Sequence, residues 1–319
     1  MSSGEDLAGR RLGAYVVEGK LGKGGMGEVF RAVDTRTGQR VALKVLSPER
    51  VTNPALIARF EREWRVLRDV CHPHVVTLLD WPHGGHEPPF FVMELLEGTT
   101  LDERIADGKT LDLSTFFEAM IQLADGLAAV HAAGIVHRDV KPENVFLVAG
   151  DRTLAKLLDF GLARVEKSQI TGAGLLVGTP SFVAPEQITG DGVDARADIY
   201  SFGLVMFRAL TGHHPFASDD QVTTLGHQLL SPPPPPSWLR DEISPGLEAL
   251  VLRMLRKRPE DRPSTVREVA STLRALERGE GGDEAEMGRP SNPPDDRYGP
   301  LNPLAESLVK KTLARKGFK

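Results

Sequence analysis

Cysteine is almost absent from the sequence, with Cys71 as the single copy among 319 residues. One cysteine excludes an intrachain disulfide and suits a reducing compartment. Because an unpaired cysteine usually packs as a small apolar side chain, we expect Cys71 to be buried at a helix end rather than to act as a reactive thiol.

The sequence also lacks a charge excess and a long apolar run. The 39 Lys and Arg residues nearly balance the 44 Asp and Glu residues, so a general nucleic-acid or membrane-surface role has no electrostatic support. The most apolar helix candidate, residues 199–210, is shorter than the roughly 20 residues that span a bilayer. The first residues lack the basic start and apolar run of a signal peptide. We expect a cytoplasmic protein with no nucleic-acid partner and no integral membrane association.

Up to residue 96 the pattern predicts mainly strands. β-Branched runs separated by glycine-bearing turns occur at residues 16–17, 28–30, 41–46, 75–79 and 90–95. One amphipathic helix interrupts these strands, because apolar residues recur there at steps of three and four: Ile57, Phe60, Trp64, Leu67 and Cys71.

From residue 97 onward the pattern is helical. Residues 117–131 keep one face (Phe117, Ile121, Ala124, Leu127, Ala128 and His131) and end near Gly134, while residues 198–210 are apolar on nearly every side and end at Gly212. A further helix is expected over residues 247–255, and the proline run 232–236 is expected to be a stiff surface connection. Strands followed by helices predict an α+β fold of two lobes, with a ligand in the cleft between them.

A glycine-rich loop occupies residues 22–29, between two predicted strands. Glycines let the backbone N–H groups approach a phosphate closely, although a purely structural turn has the same composition. A dinucleotide-binding loop would open a helix, whereas a strand follows here. A Walker A loop would end in Gly-Lys-Ser/Thr, which is absent.

Lys44 follows Gly27 by 17 residues and alternates with apolar strand neighbours. The side chain could face solvent, or it could point into the cleft and pair with phosphates. In the second case it needs a carboxylate to hold its mobile stem. Glu63 on the predicted helix is the candidate, and Glu61 is the alternative if the helix phase differs.

Three short motifs follow in order along the helical part: residues 137–144 (His-Arg-Asp-Val-Lys-Pro-Glu-Asn), Asp159-Phe160-Gly161 and Ala184-Pro185-Glu186. Together with the glycine-rich loop and Lys44, they resemble the signature of the protein kinase family. The resemblance covers residues 12–278 and is closest to the bacterial eukaryotic-like (Hanks-type) serine/threonine protein kinases. It implies the bilobal kinase fold, with a small antiparallel β-lobe, one control helix and a larger α-helical lobe.

The resemblance implies the catalytic roles. Asp139 would accept the proton of the substrate hydroxyl, and Lys141 would steady the γ-phosphate of ATP. Asn144 and Asp159 would hold Mg²⁺, with Mn²⁺ as an alternative, and Lys44 paired with Glu63 would hold the α- and β-phosphates. A lysine at position 141 is typical of serine/threonine kinases.

The resemblance also implies an ATP-binding set. Its members are Leu21, Gly22, Lys23, Gly24, Gly25, Met26, Gly27, Val29, Ala42, Lys44, Met93, Glu94, Leu96 and Phe146. Phe146 departs from the family, because a smaller aliphatic residue is usual beneath the adenine.

Regulation by phosphorylation is implied by Arg138, whose guanidinium beside Asp139 can bind a phosphate with two hydrogen bonds. Thr171 is the first candidate phosphosite and Ser168 the second, although Ser168 could be a solvated loop serine. Thr179 better resembles the threonine that contacts Asp139 and Lys141. Protein substrates are the implied partners, with self-association during autophosphorylation.

The predicted domain boundaries are a flexible segment 1–11, a kinase domain 12–278 divided at residue 96, a disordered linker 279–300 and a basic amphipathic segment 301–319. Within the domain, Glu186 and Arg262 resemble a structural ion pair. Asp198 resembles the residue that supports the backbone of the catalytic loop, residues 137–144. The alternatives to an active kinase are a pseudokinase scaffold and a small-molecule phosphotransferase.

Overall fold

The computed structural model describes residues 7–23, 27–46, 57–58, 60–61, 64–65, 68–82, 88–159, 180–218 and 221–280. The chain divides into two compact units, Met1–Glu97 and Gly98–Lys319. The segments predicted as 1–11, 279–300 and 301–319 lie largely or wholly outside the described residues. Each unit is described by itself.

The first unit is built on a six-stranded antiparallel sheet of order β1-β2-β3-β4-β6-β5. The strands are β1 (Arg11–Leu12), β2 (Tyr15–Lys23), β3 (Gly27–Asp34), β4 (Arg40–Leu46), β5 (Leu78–Asp80) and β6 (Phe90–Glu94). The predicted strands are present, with one correction: β5 covers only part of the predicted run 75–79.

The central strand β4 is buried on both faces. Val41, Leu43 and Val45 join one apolar cluster, and Leu46 joins another with Phe60 and Phe91. Residues 57–58, 60–61 and 64–65 are helical, and Ile57, Phe60 and Trp64 pack at this second cluster, as the predicted stripe requires. Burial on both faces explains why β4 reads as a continuous apolar run broken only by Lys44.

The second unit contains a three-stranded sheet and, among the residues that the structure describes, seven α-helices. The strands are β7 (Gly98–Thr100), β8 (Val145–Val148) and β9 (Leu154–Leu157), in the order β7-β8-β9. The helices are α1 (Leu101–Arg104), α2 (Leu113–Ala132), α3 (Pro185–Thr189), α4 (Arg196–Thr211), α5 (Gln221–Leu230), α6 (Pro245–Met254) and α7 (Val266–Glu277).

Helix α2 begins at the N-cap Asp112, whose carboxylate accepts from the Thr115 N–H at 2.9 Å, and ends before Gly134 at φ +75°. Within the described part of the chain, it is the one helix with the length and hydropathy of a membrane span. It packs against α7 and β9, and core helices of soluble domains meet the same test, so this is weak support for a span.

Helix α4 is the central helix of this unit and is buried along nearly its whole length, as predicted. Gly203 permits close packing, because a Cβ there would lie 2.9 Å from the Cβ of Met254. Gly212 ends the helix at φ +74°, beside the carbonyl of Gly108.

Two local predictions are wrong, and a third is correct only in part. Cys71 is exposed rather than packed. Pro234 and Pro236 are buried, so the proline run is not a surface connection throughout. The predicted face of α2 is correct in part: Ala124 and Leu127 are buried, whereas Phe117, Ile121 and Ala128 are partly buried and pack against the same core. The pattern gave the correct helix with its face turned by about one residue.

Candidate active site

The glycine-rich loop of the first unit joins β2 to β3. Gly22 pairs with Val29, and Lys23 pairs with Glu28, while residues 24–26, including Gly24, Gly25 and Met26, lie outside the described residues. Gly27 must be glycine, because a Cβ there would lie 2.0 Å from the carbonyl oxygen of Val45. A strand follows the loop, which confirms that it does not open a helix.

Lys44 is 3% exposed on β4, so of the two alternatives the one in which its side chain faces solvent is wrong. Its backbone pairs with Val29 on one side and Phe91 on the other. Its Nζ lies 5.5 Å from the centre of the Phe91 ring. A buried ammonium is stable only with polar or aromatic neighbours, and the Phe91 ring is one such neighbour of Lys44.

The carboxylate predicted to pair with Lys44, Glu63, lies outside the described residues, as does Leu67. The alternative, Glu61, is engaged elsewhere: its Oε2 lies 3.6 Å from Nη2 of Arg65, one helical turn away. Glu61 therefore looks outward, as the predicted helix phase requires.

The other predicted nucleotide residues of the first unit that the structure describes lie on its strands or, for Leu96, just after β6. Ala42 is buried and pairs with Met93 across β4 and β6. The backbone N–H of Glu94 donates to the Thr77 carbonyl at 3.0 Å, and Leu96 is partly buried. Leu21 is 44% exposed.

The catalytic-loop motif of the second unit is held by Asp198, which is fully buried on α4. Its carboxylate accepts the backbone N–H groups of His137 and Arg138, both at 2.7 Å. Charge-assisted bonds of this length are strong, and they stabilise Arg138 at the unfavourable φ of +64°. The predicted role of Asp198 as a backbone support agrees with this geometry.

His137 connects the loop to the strand that precedes Asp159. The Asp139 N–H donates to Nδ1 of His137 at 3.3 Å, so Nε2 carries the ring proton and donates to the Leu158 carbonyl at 3.2 Å. Burial lowers the pKa of His137, which keeps the ring in this neutral form. The Leu158 N–H in turn donates to the Asn144 carbonyl at 2.8 Å.

Asp139 lies at the centre of a polar cluster. Lys141 Nζ lies 2.9 Å from its Oδ2, and Asn144 Nδ2 donates to the same oxygen at 2.9 Å and to the Asp139 carbonyl at 2.8 Å. Asn144 Nδ2 also reaches the Asp159 carbonyl at 3.3 Å. The structure thus brings together four of the predicted residues: Asp139, Lys141, Asn144 and Asp159.

This cluster fits a hard divalent cation. Three acceptors face the Asn144 amide, which assigns its nitrogen to them and leaves Oδ1 outside these bonds. An amide oxygen and the Asp159 carboxylate are ligands that Mg²⁺ prefers, and Mg²⁺ keeps several waters and needs few protein ligands.

A buried ion pair fixes the segment after the active site, as predicted. Arg262 donates from Nη1 and Nη2 to the two carboxylate oxygens of Glu186, at 2.7 and 2.8 Å. The sequence did not predict the next contact: Gln187 Nε2 donates to the Arg138 carbonyl at 3.2 Å. This bond attaches α3 to the catalytic loop.

His131 is a second residue whose role was missed. Its Nε2 lies 2.8 Å from Oδ2 of Asp198, so α2 also contacts the loop support. The sequence marked His131 only as a member of a helix face. No spacing rule relates it to Asp198, which lies 67 residues away.

Among the remaining predicted site residues, the structure describes Phe146. It lies on β8, is partly buried and pairs with Lys156. Phe160, Gly161, Ser168, Thr171 and Thr179 lie outside the described residues.

The sheet of the first unit, the helices of the second and the Asp139 cluster define a class of protein. The family described as "Protein kinase domain" matches residues 15–273. The chain belongs to the protein kinase family. Its relatives place it in the bacterial serine/threonine branch, as the motifs indicated.

Two bacterial relatives illustrate the similarity. The chain is 39% identical over 266 residues to the serine/threonine-protein kinase Pkn1 of Myxococcus xanthus, covering 82% of this chain and 38% of the relative. It is 38% identical over 265 residues to PknD of Mycobacterium tuberculosis, covering 82% and 39%. The chain therefore spans less than half the length of these two relatives.

A solved structure supports the fold. The crystal structure of the Mycobacterium tuberculosis PknI kinase domain matches with a TM-score of 0.65 and 28% identity, covering 83% of this chain and 97% of that chain. The bilobal kinase fold, with an antiparallel β-sheet N-lobe and a helical C-lobe, is confirmed.

Proposed function

We propose that this chain is an ATP-dependent serine/threonine protein kinase that transfers the γ-phosphoryl group to protein hydroxyls. The observation that carries the proposal is the Asp139 carboxylate, held at Oδ2 by Lys141 and Asn144. Two donors on one oxygen fix the orientation of the carboxylate and the direction of its other oxygen. A carboxylate so oriented can act on a substrate hydroxyl.

In the proposed reaction, Asp139 orients the substrate hydroxyl and accepts its proton. The hydroxyl oxygen forms a bond to the γ-phosphorus as the bond to the β,γ-bridging oxygen breaks, and ADP leaves. Lys141, one side chain away, places positive charge where the transferred phosphoryl group carries negative charge. The reaction needs little covalent chemistry from the protein, so positioning and charge account for most of the rate.

Asn144 and Asp159 would hold Mg²⁺, with Mn²⁺ as an alternative, and Lys44 would bind the α- and β-phosphates, with Glu63 as its partner. When bound, the metal neutralises charge on the phosphates. The nucleotide would contact the glycine-rich loop, Ala42, Met93, Glu94, Leu96 and Phe146. The bulky Phe146 would narrow the adenine site.

The test compares wild type with Asp139→Asn, using radiolabelled ATP and a generic basic protein. We expect transfer to the protein in wild type and a loss of at least about 1000-fold in the variant, because an amide cannot accept the proton. No transfer from either chain would favour a pseudokinase scaffold. Transfer by wild type only to small molecules would favour the phosphotransferase alternative.

Regulation by phosphorylation is supported by Arg138. Its Nε is buried and has no hydrogen-bond partner within the described ranges. An unsatisfied buried guanidinium nitrogen is costly, and a phosphate would satisfy it. Thr171 is the first proposed site, followed by Ser168 and Thr179, with self-association during autophosphorylation. A phosphate map of autophosphorylated protein without modification at residues 165–179 would remove this proposal.

We also propose a cytoplasmic location, supported by the near-balanced charge and the single exposed cysteine. Protein substrates are the proposed partners. Cell fractionation that recovers the chain with membranes would contradict the location.

A further inference from the structure

The segment of residues 180–183 lies directly before α3 and is attached to the catalytic loop. The attachment is the side chain of Gln187, which accepts the N–H of Ala184, the residue after the segment, at 3.1 Å and donates to the carbonyl of Arg138, the residue next to Asp139. Ser181, Phe182 and Val183 are each partly buried, so the segment keeps an accessible face near the proposed base. A protein acceptor that reaches Asp139 would have this face beside it.

One carbonyl of the segment is held by two side chains from elsewhere in the unit. Nε2 of His214 lies 2.7 Å from the Ser181 carbonyl oxygen, and Nε2 of Gln228 donates to the same oxygen. Gln228 also reaches the Val183 carbonyl at 3.4 Å. His214 follows α4 and Gln228 lies on α5, so two elements hold a single atom between them.

The tautomer of His214 is set by its surroundings. The Phe216 N–H donates to Nδ1 at 3.2 Å, so the ring proton resides on Nε2, facing Ser181. Burial lowers the pKa of His214 to about 4, which keeps the ring in this neutral form at physiological pH. The ring also makes an edge contact with Phe182, at 5.2 Å between centroids.

Lys257 contacts the backbone of α5 at Gln228. Its Nζ donates to the carbonyls of Gln228 at 2.7 Å and His227 at 3.2 Å, near the end of α5. The same Nζ lies 3.9 Å from the centre of the Phe216 ring. Gln228 is fully buried, so its side chain cannot easily leave Ser181.

We infer that His214 and Gln228 are positioning residues for the protein substrate. By fixing the Ser181 carbonyl they set the shape of the accessible face of residues 181–183, and thereby the KM for the protein acceptor. They do not touch the Asp139 cluster, so they leave ATP binding and the transfer step unchanged. The inference rests on the proposed kinase function.

The experiment uses two substitutions at His214 that remove different features of its side chain. His214→Phe keeps a ring against Phe182 but removes the donor, whereas His214→Gln keeps a donor near the position of Nε2. Gln228→Met removes the second donor at similar volume. His213→Phe is the matched control, because His213 is the exposed neighbour. Each chain is assayed for transfer to myelin basic protein and for ATP hydrolysis without an acceptor.

We expect His214→Phe and Gln228→Met to raise the KM for the protein roughly threefold to tenfold, the value of one hydrogen bond. The kcat, the KM for ATP and the hydrolysis rate should stay within about twofold. His214→Gln should lie closer to wild type, and His213→Phe should match it.

Three outcomes would overturn the inference: variants indistinguishable from His213→Phe, an equal fall in kcat with unchanged protein KM, or a rise in the KM for ATP. Failure of both donor-removing variants to fold would make the contact a folding element and overturn it as well. A wild-type chain without any protein phosphorylation would instead contradict the proposed function, which separates the two failures.

Discussion

Each unit contains an arginine that forms a bidentate ion pair with a carboxylate and stacks on a tyrosine. The two arginines differ mainly in how deeply their side chains are buried. In the first unit, Arg36 donates from Nε and Nη2 to Asp34, at 3.0 and 2.8 Å, and lies 5.3 Å from the Tyr15 ring centre. In the second, Arg262 donates to Glu186 and lies 4.9 Å from the Tyr200 ring centre. The Arg36 side chain is 56% exposed and that of Arg262 is 0% exposed.

The comparison teaches that contact geometry alone does not give the energetic importance of an ion pair. Water and ions screen the exposed guanidinium of Arg36. After its loss, the buried Asp34 carboxylate still accepts the backbone N–H of residue 36. Loss of Arg262 leaves the Glu186 carboxylate uncompensated in the interior, together with backbone carbonyls of Arg196, Arg256 and Lys257.

The largest effect is expected for Arg262→Ala. We expect a loss of about 3–5 kcal/mol in the free energy of unfolding, because a buried charge loses its partner. Urea denaturation measures this loss, and Arg258→Ala, at an exposed position, is the control. Adding Glu186→Gln should recover part of the stability. A loss below about 1 kcal/mol would show that burial does not decide the energetics here.

An intermediate effect is expected for the pH dependence of stability. Burial, with a contribution from the charge of Arg262, lowers the pKa of Lys257 to about 7. Between pH 7 and the ordinary pKa near 10.5, the unfolded chain binds more protons, so stability rises with pH in this window.

From pH 7 to pH 9 we expect the Lys257 term to add about 2 kcal/mol to the free energy of unfolding of wild type. In Lys257→Met the rise should be absent, because no proton is bound there. Denaturation of both chains at the two pH values is the measurement. Parallel behaviour of the two chains would contradict a lowered pKa of Lys257. The carbonyl acceptors and the Phe216 ring favour the charged ammonium, so they act against this lowering.

The smallest effect is expected for Arg36→Ala, the exposed member of the comparison. The thermal midpoint should shift by no more than about 2 °C, and the shift should shrink further in high salt. Calorimetry at low and high salt measures it, with Arg40→Ala as the exposed control. A shift as large as that of Arg262→Ala would remove the distinction between the two arginines.

Much of the fold was predictable because its signals are local. The burial of α4 follows from its apolar residues on every side, and Gly134 and Gly212 end their helices at positive φ as expected. The face of α2 was predicted only in part, since a helical stripe fixes a face only to within about one residue. Cys71 was predicted wrongly, because it is exposed and lies outside the helical residues.

The candidate site also combines residues that the sequence predicted with contacts that it did not. Motif order identified Asp139, Lys141, Asn144 and Asp159, and the structure brings them together. The contacts of His131, Gln187, His214 and Gln228 were not predicted, because their partners lie far away in the chain. A single histidine or glutamine in a sequence carries no sign of the carbonyl that it will contact.

By itself, the sequence determined the family, the order of the motifs and the residue types that phosphoryl transfer needs, because these depend on chemistry at fixed local spacing. Only the tertiary structure decided that Lys44 is buried, that Asp198 holds two backbone N–H groups and that His214 and Gln228 meet at Ser181. Such contacts depend on how distant elements pack, and packing is a property of the whole unit rather than of any short segment.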